Sequence, residues 1–411
     1  MMFSRRHWIP PAGLIFAQLS HGASWWILVF VGLGGSLVSV DSLALAWVHT
    51  VALGWATVAA ISVLFHVIPA FTDARWNRQS LARVCLFFFC IGVVMFVLAL
   101  LVAQRLAFCG ATVTISALLL YSGVAFTTLG SALRGQRTER AIARALIITL
   151  VFLDAAAIIG FALAALISGI ELPSWVRVLP GTHAVLGLFG WLSLLIFGVS
   201  ARTVRPITGN KSRFAGAHIA VGTCTLVGVP LLAIGLLQML WLAWAGAIIF
   251  GCGAVIYALD AIDIMRRATV SHRPPQAFFV AATIWLLCGL GLGAATLAGR
   301  SWSLSFGFVV LAGWVGQMIN AHIHHIGVRL LLTVHRGEAD ETRPEVVLTS
   351  SLSWTSFAAF QFAVAVVTVG LLRNSGISVF IGAVAGGLGW FTMAANLLVA
   401  RQKARQYLAA T

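Results

Sequence analysis

The chain has 411 residues, 60% hydrophobic and 9% charged, and a mean hydropathy of +1.00 excludes a soluble globular domain. Lysine and arginine number 26 against 11 acidic residues, a formal charge of +15. In so apolar a chain this excess reports cationic loops on one side of a bilayer and excludes a nucleic-acid footprint as the economical reading.

In chain order, the basic leader Met1 to His7 runs into apolar sequence without a small-residue cleavage site, which predicts a cytoplasmic N-terminus instead of a signal peptide. Apolar stretches then follow at 11–34, 43–71, 84–103, 108–133, 141–167, 183–204, 215–236, 240–262, 276–298, 303–332, 353–372 and 379–399. Each has roughly 20 or more residues, enough to cross about 30 Å of hydrocarbon as a helix. The expected fold is an all-α integral membrane protein of twelve transmembrane helices, one polytopic domain over residues 1–411.

Arginines collect after every even-numbered stretch: Arg75, Arg78 and Arg83; Arg134, Arg137, Arg140 and Arg144; Arg202, Arg205, Lys211 and Arg213; Arg266, Arg267 and Arg273; Arg329, Arg336 and Arg343; Arg401, Lys403 and Arg405. The opposite loops hold little charge beyond Asp41, Arg105, Glu171, Arg177, Arg300 and Arg373. This places both termini in the cytoplasm and the chain in the inner membrane. The six cysteines, Cys85, Cys90, Cys109, Cys224, Cys252 and Cys288, form no Cys-x-x-Cys, so neither a zinc knuckle, an attached c-type haem nor a disulfide framework is indicated.

Gly54-Trp55, Gly190-Trp191 and Gly313-Trp314 recur at similar depth in stretches two, six and ten. Four stretches separate each from the next, which suggests three pseudo-symmetric four-helix units. The same stretches carry histidine: His49 and His66 on the second, His183 opening the sixth, and His322, His324 and His325 on the tenth, with Gln317 and Asn320 one turn above. Imidazole is costly in hydrocarbon, so three in one span point to coordination or hydrogen bonding. At roughly 100° per residue His322 and His325 share a helix face, while His324 points about 160° from His322.

Twelve helices with histidine on the second, sixth and tenth resemble catalytic subunit I of the haem-copper oxidases and divergent relatives, including the NnrS-type haem proteins linked to nitric oxide. His322-Ile-His324 is similar to the family's His-x-His, where one histidine holds the low-spin and the other the high-spin haem. Trp47-Val-His49-Thr through Val67-Ile-Pro69-Ala resembles its second helix, and His183, in Thr-His-Ala-Val-Leu-Gly-Leu-Phe-Gly-Trp191, sits on the helix that in that family carries the first copper ligand. The resemblance implies haem, of b type, with copper as a second metal. It implies cofactor contacts at His49, His66, His183, His322, His324 and His325, and metal ligation by His49, His183, His322, His324 and His325. It departs from the family on the seventh helix, where the His-His pair is reduced to His218, and Tyr257 is a distant substitute for the family's tyrosine. His49 and His183 also lie near the outer face, whereas His66, His322, His324 and His325 lie in the cytoplasmic half.

Other polar residues have plainer readings. His21 is expected to be hydrogen-bonded within the bundle, and His7, His272 and His335 to sit in basic loops. Asp260 and Asp263 close the eighth stretch beside Arg266 and Arg267 as interfacial pairs. Arg202 and Arg205 end the sixth, where haem propionates or lipid phosphates would be held. Asp154 is the one carboxylate near mid-membrane and must be neutral, paired or part of a proton path. No nucleotide-binding or hydrolase motif occurs. The expected function is a haem-binding inner-membrane protein in respiratory electron transfer or in nitric oxide or oxygen chemistry, an oxidoreductase reading, with membrane lipid and an electron-donor subunit or cytochrome as partners. The alternatives are a proton-coupled transporter of a small molecule or metal, with Asp154 in its proton path, and a cofactor-free oxidase assembly subunit. Reporter fusions after Arg75, Arg213 and Arg343 are expected to give cytoplasmic signals, and periplasmic activity from any of the three would break the twelve-span topology.

Overall fold

A computed structural model of the chain describes residues 11–34, 42–214, 216–270, 273–329, 332 and 344–409. His7, His272, His335, Asp41, Arg336 and Arg343 lie outside the described residues. Among the described residues every regular element is helical. Twelve helices are long and apolar enough to cross a membrane: α1 (Pro11–Leu33), α2 (Ser42–Thr72), α3 (Gln79–Val102), α4 (Gln104–Ala132), α5 (Arg137–Ile167), α6 (Pro180–Thr208), α7 (Ala217–Gln238), α8 (Leu240–Arg266), α9 (Arg273–Leu297), α10 (Ser303–Gly327), α11 (Ser350–Leu372) and α12 (Gly376–Gln406). The protein is therefore a multi-pass membrane protein, its outer surface in contact with lipid.

Several helices extend past their apolar limits because their polar ends are capped. The apolar run of α5 begins at residue 141, yet the helix starts at Arg137. Gln136 accepts a backbone N–H of the first turn, and the Glu139 carboxylate accepts the Gln136 N–H at 2.8 Å, a reciprocal capping box. At its other end α6 continues through Arg205 and stops at Gly209, whose φ of +81° suits glycine and whose N–H bonds the Arg205 carbonyl.

Lipid gives little hydrophobic drive for helix association, so close contact depends on small residues. α3 pairs with α4, α7 with α8 and α11 with α12 in this way. A β-carbon on Gly92 would stand 2.6 Å from the Thr114 nitrogen, one on Gly235 2.1 Å from that of Ala243, and one on Gly382 2.9 Å from that of Val367. Within each group of four, the first helix packs on the second: α1 on α2, α5 on α6, α9 on α10. The groups join through α4 with α5, α8 with α9 and α12 with α1, closing a ring of three four-helix units.

The inner helices of these units are α2, α6 and α10, and each is locally widened into a π-helix, over Thr50–Thr57, Leu186–Ser193 and Val309–Val315. Every one of these segments contains a Gly-Trp pair. The glycine admits the first helix of its own unit: a β-carbon would meet Ser20 of α1 at Gly54, Phe152 of α5 at Gly190 and Trp285 of α9 at Gly313, all within 2.9 Å. The tryptophan reaches the neighbouring unit. Trp191 donates its indole N–H to the Thr57 hydroxyl at 3.0 Å, and Trp314 donates to the Ser193 hydroxyl at 3.0 Å. Thr57 and Ser193 each stand two residues beyond a tryptophan of the repeat. The third equivalent position is Gly316, against which the Trp55 ring packs directly.

Trp55, Trp191 and Trp314 are all buried, so an indole N–H that loses its acceptor there has no water to replace it. Ser193→Ala is expected to destabilise the bundle by about 1–3 kcal/mol, and Ser193→Thr to restore most of that. Thermal unfolding in detergent checks both, and an unchanged midpoint for Ser193→Ala would show that the bond carries no stability.

Candidate functional site

Of the histidines singled out in the sequence, the structure brings together His49 and His183. They lie on α2 and α6, six residues before Trp55 and eight before Trp191, about 9–12 Å from the tryptophan layer at 1.5 Å per residue. Their ring centres are 6.2 Å apart and their planes 23° from parallel. Both rings are anchored through Nδ1. His49 bonds the Leu45 carbonyl one turn back at 2.8 Å, and His183 bonds the Ala156 carbonyl of α5 at 2.9 Å. A carbonyl can only accept, so each Nδ1 carries the proton, and in the neutral ring the lone pair is then on Nε2. This is the tautomer and the kind of second bond that orients a metal-ligating imidazole.

The walls around the pair hold it in place. Phe96 of α3 presents its ring edgewise to His49, with centres 5.1 Å apart. On α5, Gly160 lies against His183, where a β-carbon would come within 2.7 Å of Cε1. Earlier on the same helix, half-buried Asp154 accepts a 2.7 Å hydrogen bond from Ser122 of α4. Both histidines are themselves half-buried.

The remaining candidates are elsewhere. His322 has both nitrogens engaged, Nδ1 with the Met318 carbonyl at 2.8 Å and Nε2 with the Thr203 hydroxyl at 2.8 Å, and so ties α10 to α6. His324 is buried, bonds the Asn320 carbonyl through Nδ1 at 2.9 Å and packs on Phe278 of α9, 5.0 Å between centres. His322 and His324 thus face different neighbours, as the helical spacing predicts. His325 is half-buried in a second π-helical turn, Ile323–Gly327. His66 lies 17 residues beyond His49 on α2, about 25 Å along the axis. Arg202 and Arg205 are exposed at the far end of α6, Arg202 about 28 Å along the helix from His183, with its guanidinium 5.9 Å from the centre of the Phe71 ring.

Arg205, His218 and Tyr257 line a cleft of about 80 Å³ at that same end. Tyr257 there donates to Ser200 at 3.1 Å, which keeps it well away from His49 and His183. His21 stacks on Trp55 with centres 3.5 Å apart and accepts the Trp25 indole N–H through Nε2 at 3.1 Å, a bonded position inside the bundle as the sequence suggests. Arg267 pairs with Asp263, and Ser212 donates to Asp260.

Among the described residues no group of three or more His, Cys, Asp or Glu side chains converges as a metal-binding cluster. The site is a pair of oriented imidazoles. Its two rings lie 6.2 Å apart between centres and close to parallel. The supporting residues Gly160, Phe96 and Ala156 do not stand out in the sequence, because only the packing of α3 and α5 on α2 and α6 gives them a role.

No protein-family model matches the chain, and no curated protein sequence matches it significantly.

Gly160→Ala tests whether the His183 position depends on that close approach. Overpacking of this kind costs about 1–3 kcal/mol. The variant is expected to unfold at lower temperature and to shift the His183 Cε1–H resonance while leaving that of His322 in place. An unmoved His183 signal would show that the ring is not held by α5.

Proposed function

We propose that this chain is an integral membrane haem protein of the haem-copper oxidase type, with His49 and His183 as its metal ligands, acting in respiratory electron transfer or in nitric oxide or oxygen chemistry. The observation that carries the reading is the His49–His183 pair, each ring fixed through Nδ1 so that Nε2 is the ligating atom. The ring of three four-helix units around α2, α6 and α10 supports it, because the pair sits on two of those three inner helices.

The donor set favours haem. His49 and His183 would be the two protein donors to a haem iron, whereas a copper ion held by protein alone commonly takes a third donor. Haem, when bound, supplies one-electron iron chemistry. The chain's own residues do the rest: the Leu45 and Ala156 carbonyls raise imidazole basicity and fix the tautomer, Gly160 lets His183 approach α5, and Phe96 covers His49. Asp154, bonded to Ser122 on the helix that anchors His183, is the group placed to carry a proton near the site. The arginine-rich loops orient the protein with both termini in the cytoplasm of an inner-membrane setting, and an electron-donor protein is the partner this chemistry requires.

The test is an absorption spectrum of protein purified from haem-replete cells, before and after dithionite, with haem and copper content measured alongside. A Soret band is expected. His49→Ala and His183→Ala are each expected to lower bound haem or copper about tenfold or more at unchanged yield of folded protein, since alanine lacks the nitrogen that would hold the metal. His322→Ala is expected to leave it in place, its ring being bonded on both sides. Colourless, metal-free protein would overturn the reading in favour of a proton-coupled carrier built around Asp154.

A further inference from the structure

Away from the histidine pair, a groove of about 640 Å³ opens on the lipid-facing surface where α9 lies beside α11. Its walls are apolar, chiefly Ala277, Val280, Ala281 and Ile284 of α9 and Phe357 of α11. Ile284 is 56% exposed, so the groove is open along its side to the bilayer. Its one charged residue is Arg273, the first residue of α9, at the arginine-rich side of the membrane.

The Arg273 guanidinium donates one hydrogen bond, to the Gln276 side chain at 3.0 Å, and has no carboxylate partner among the described residues. The two nearest acids in the sequence are occupied, Asp263 by Arg267 and Asp260 by Ser212. A guanidinium carries five N–H donors in a planar fork that suits phosphate, so most of its capacity here faces outward. At the deep end the polar groups satisfy one another instead. Trp285 donates to Gln361 at 2.9 Å, Gln361 to Gln317 at 2.9 Å, and Gln317 to the Ala312 carbonyl at 3.2 Å.

The groove is thus cationic at one end and apolar along the rest. From Arg273 to Trp285 is twelve residues, about 18 Å of helix, close to the length of one acyl chain. We infer that this groove is a binding site for an anionic phospholipid, its phosphate on Arg273 and one acyl chain along Ala277, Ala281 and Ile284 towards Trp285. The inference is independent of haem. A quinone would instead present neutral carbonyls at mid-membrane, where Trp285 and Gln361 are already bonded to each other.

Native mass spectrometry of the delipidated full chain, titrated with phosphatidylglycerol or phosphatidylcholine, tests it. One phosphatidylglycerol is expected to bind with a preference of about fivefold, the scale of one basic residue at a membrane surface. Arg273→Gln is expected to abolish the preference, and Arg300→Gln, in the loop beyond the opposite end of α9, to leave it unchanged. Ala281→Trp, which fills the groove, is expected to weaken retention of both lipids; if it does not fold, Arg273→Gln decides alone. Equal retention of the two lipids by the unmodified protein, an Arg273→Gln variant that keeps its preference, or a co-purifying quinone displaced by neither lipid would overturn the assignment.

Discussion

A buried indole N–H needs an acceptor, and for the repeated tryptophans of α6 and α10 the acceptor belongs to the neighbouring four-helix unit. Trp191 reaches Thr57 and Trp314 reaches Ser193, so α6 is bonded to α2 and α10 to α6 at the level where all three are π-helical. Each bond contributes only about 1 kcal/mol net. Their larger effect is directional, because the acceptor sits two residues past the neighbour's tryptophan, and a slide by one residue would remove the hydroxyl from reach. Glycine-mediated hairpins bring the outer helices together, but the inner register depends on these indole bonds.

The histidine pair inherits its position from that layer. His49 and His183 ride on the same helices, within two turns or so of Trp55 and Trp191, so whatever sets α2 against α6 also sets the distance between the imidazoles. Fine adjustment comes from outside the inner helices. The Ala156 carbonyl and the bare face of Gly160 are contributions of α5, which is itself bound to α4 through Asp154 and Ser122. A site made this way is stiff along the membrane normal and is tuned sideways by the outer layer.

The architecture was largely legible in the sequence, and the site only in part. Apolar run length reports the twelve spans, because a helix must cover the hydrocarbon, while charged first turns such as that of α5 escape a hydropathy reading because their capping bonds are polar. The Gly-Trp recurrence was visible, since the same packing problem arises in each unit. Three histidines on α10 drew attention by their number, yet His322 is bonded to Thr203 and His324 rests on Phe278. Helical periodicity tells which residues share a face, but not which helix that face meets. The meeting of His49 with His183 joins residues 134 positions apart and depends on how α2 and α6 pack, information that no local window contains.

Gly316 leaves the repeat asymmetric. Where the other two units offer a hydroxyl, this one offers bare backbone, and the Trp55 ring settles on it and on His21, its own N–H buried without an acceptor among the described residues. Two seams of the ring are therefore keyed and the third is smooth. Contact between a flat ring and a glycine resists separation but barely resists shear, since dispersion changes little over a small sideways step. Motion of one inner helix along another is then least opposed between α10 and α2, because α6 is held to α2 through Trp191 and to α10 through Trp314 and His322.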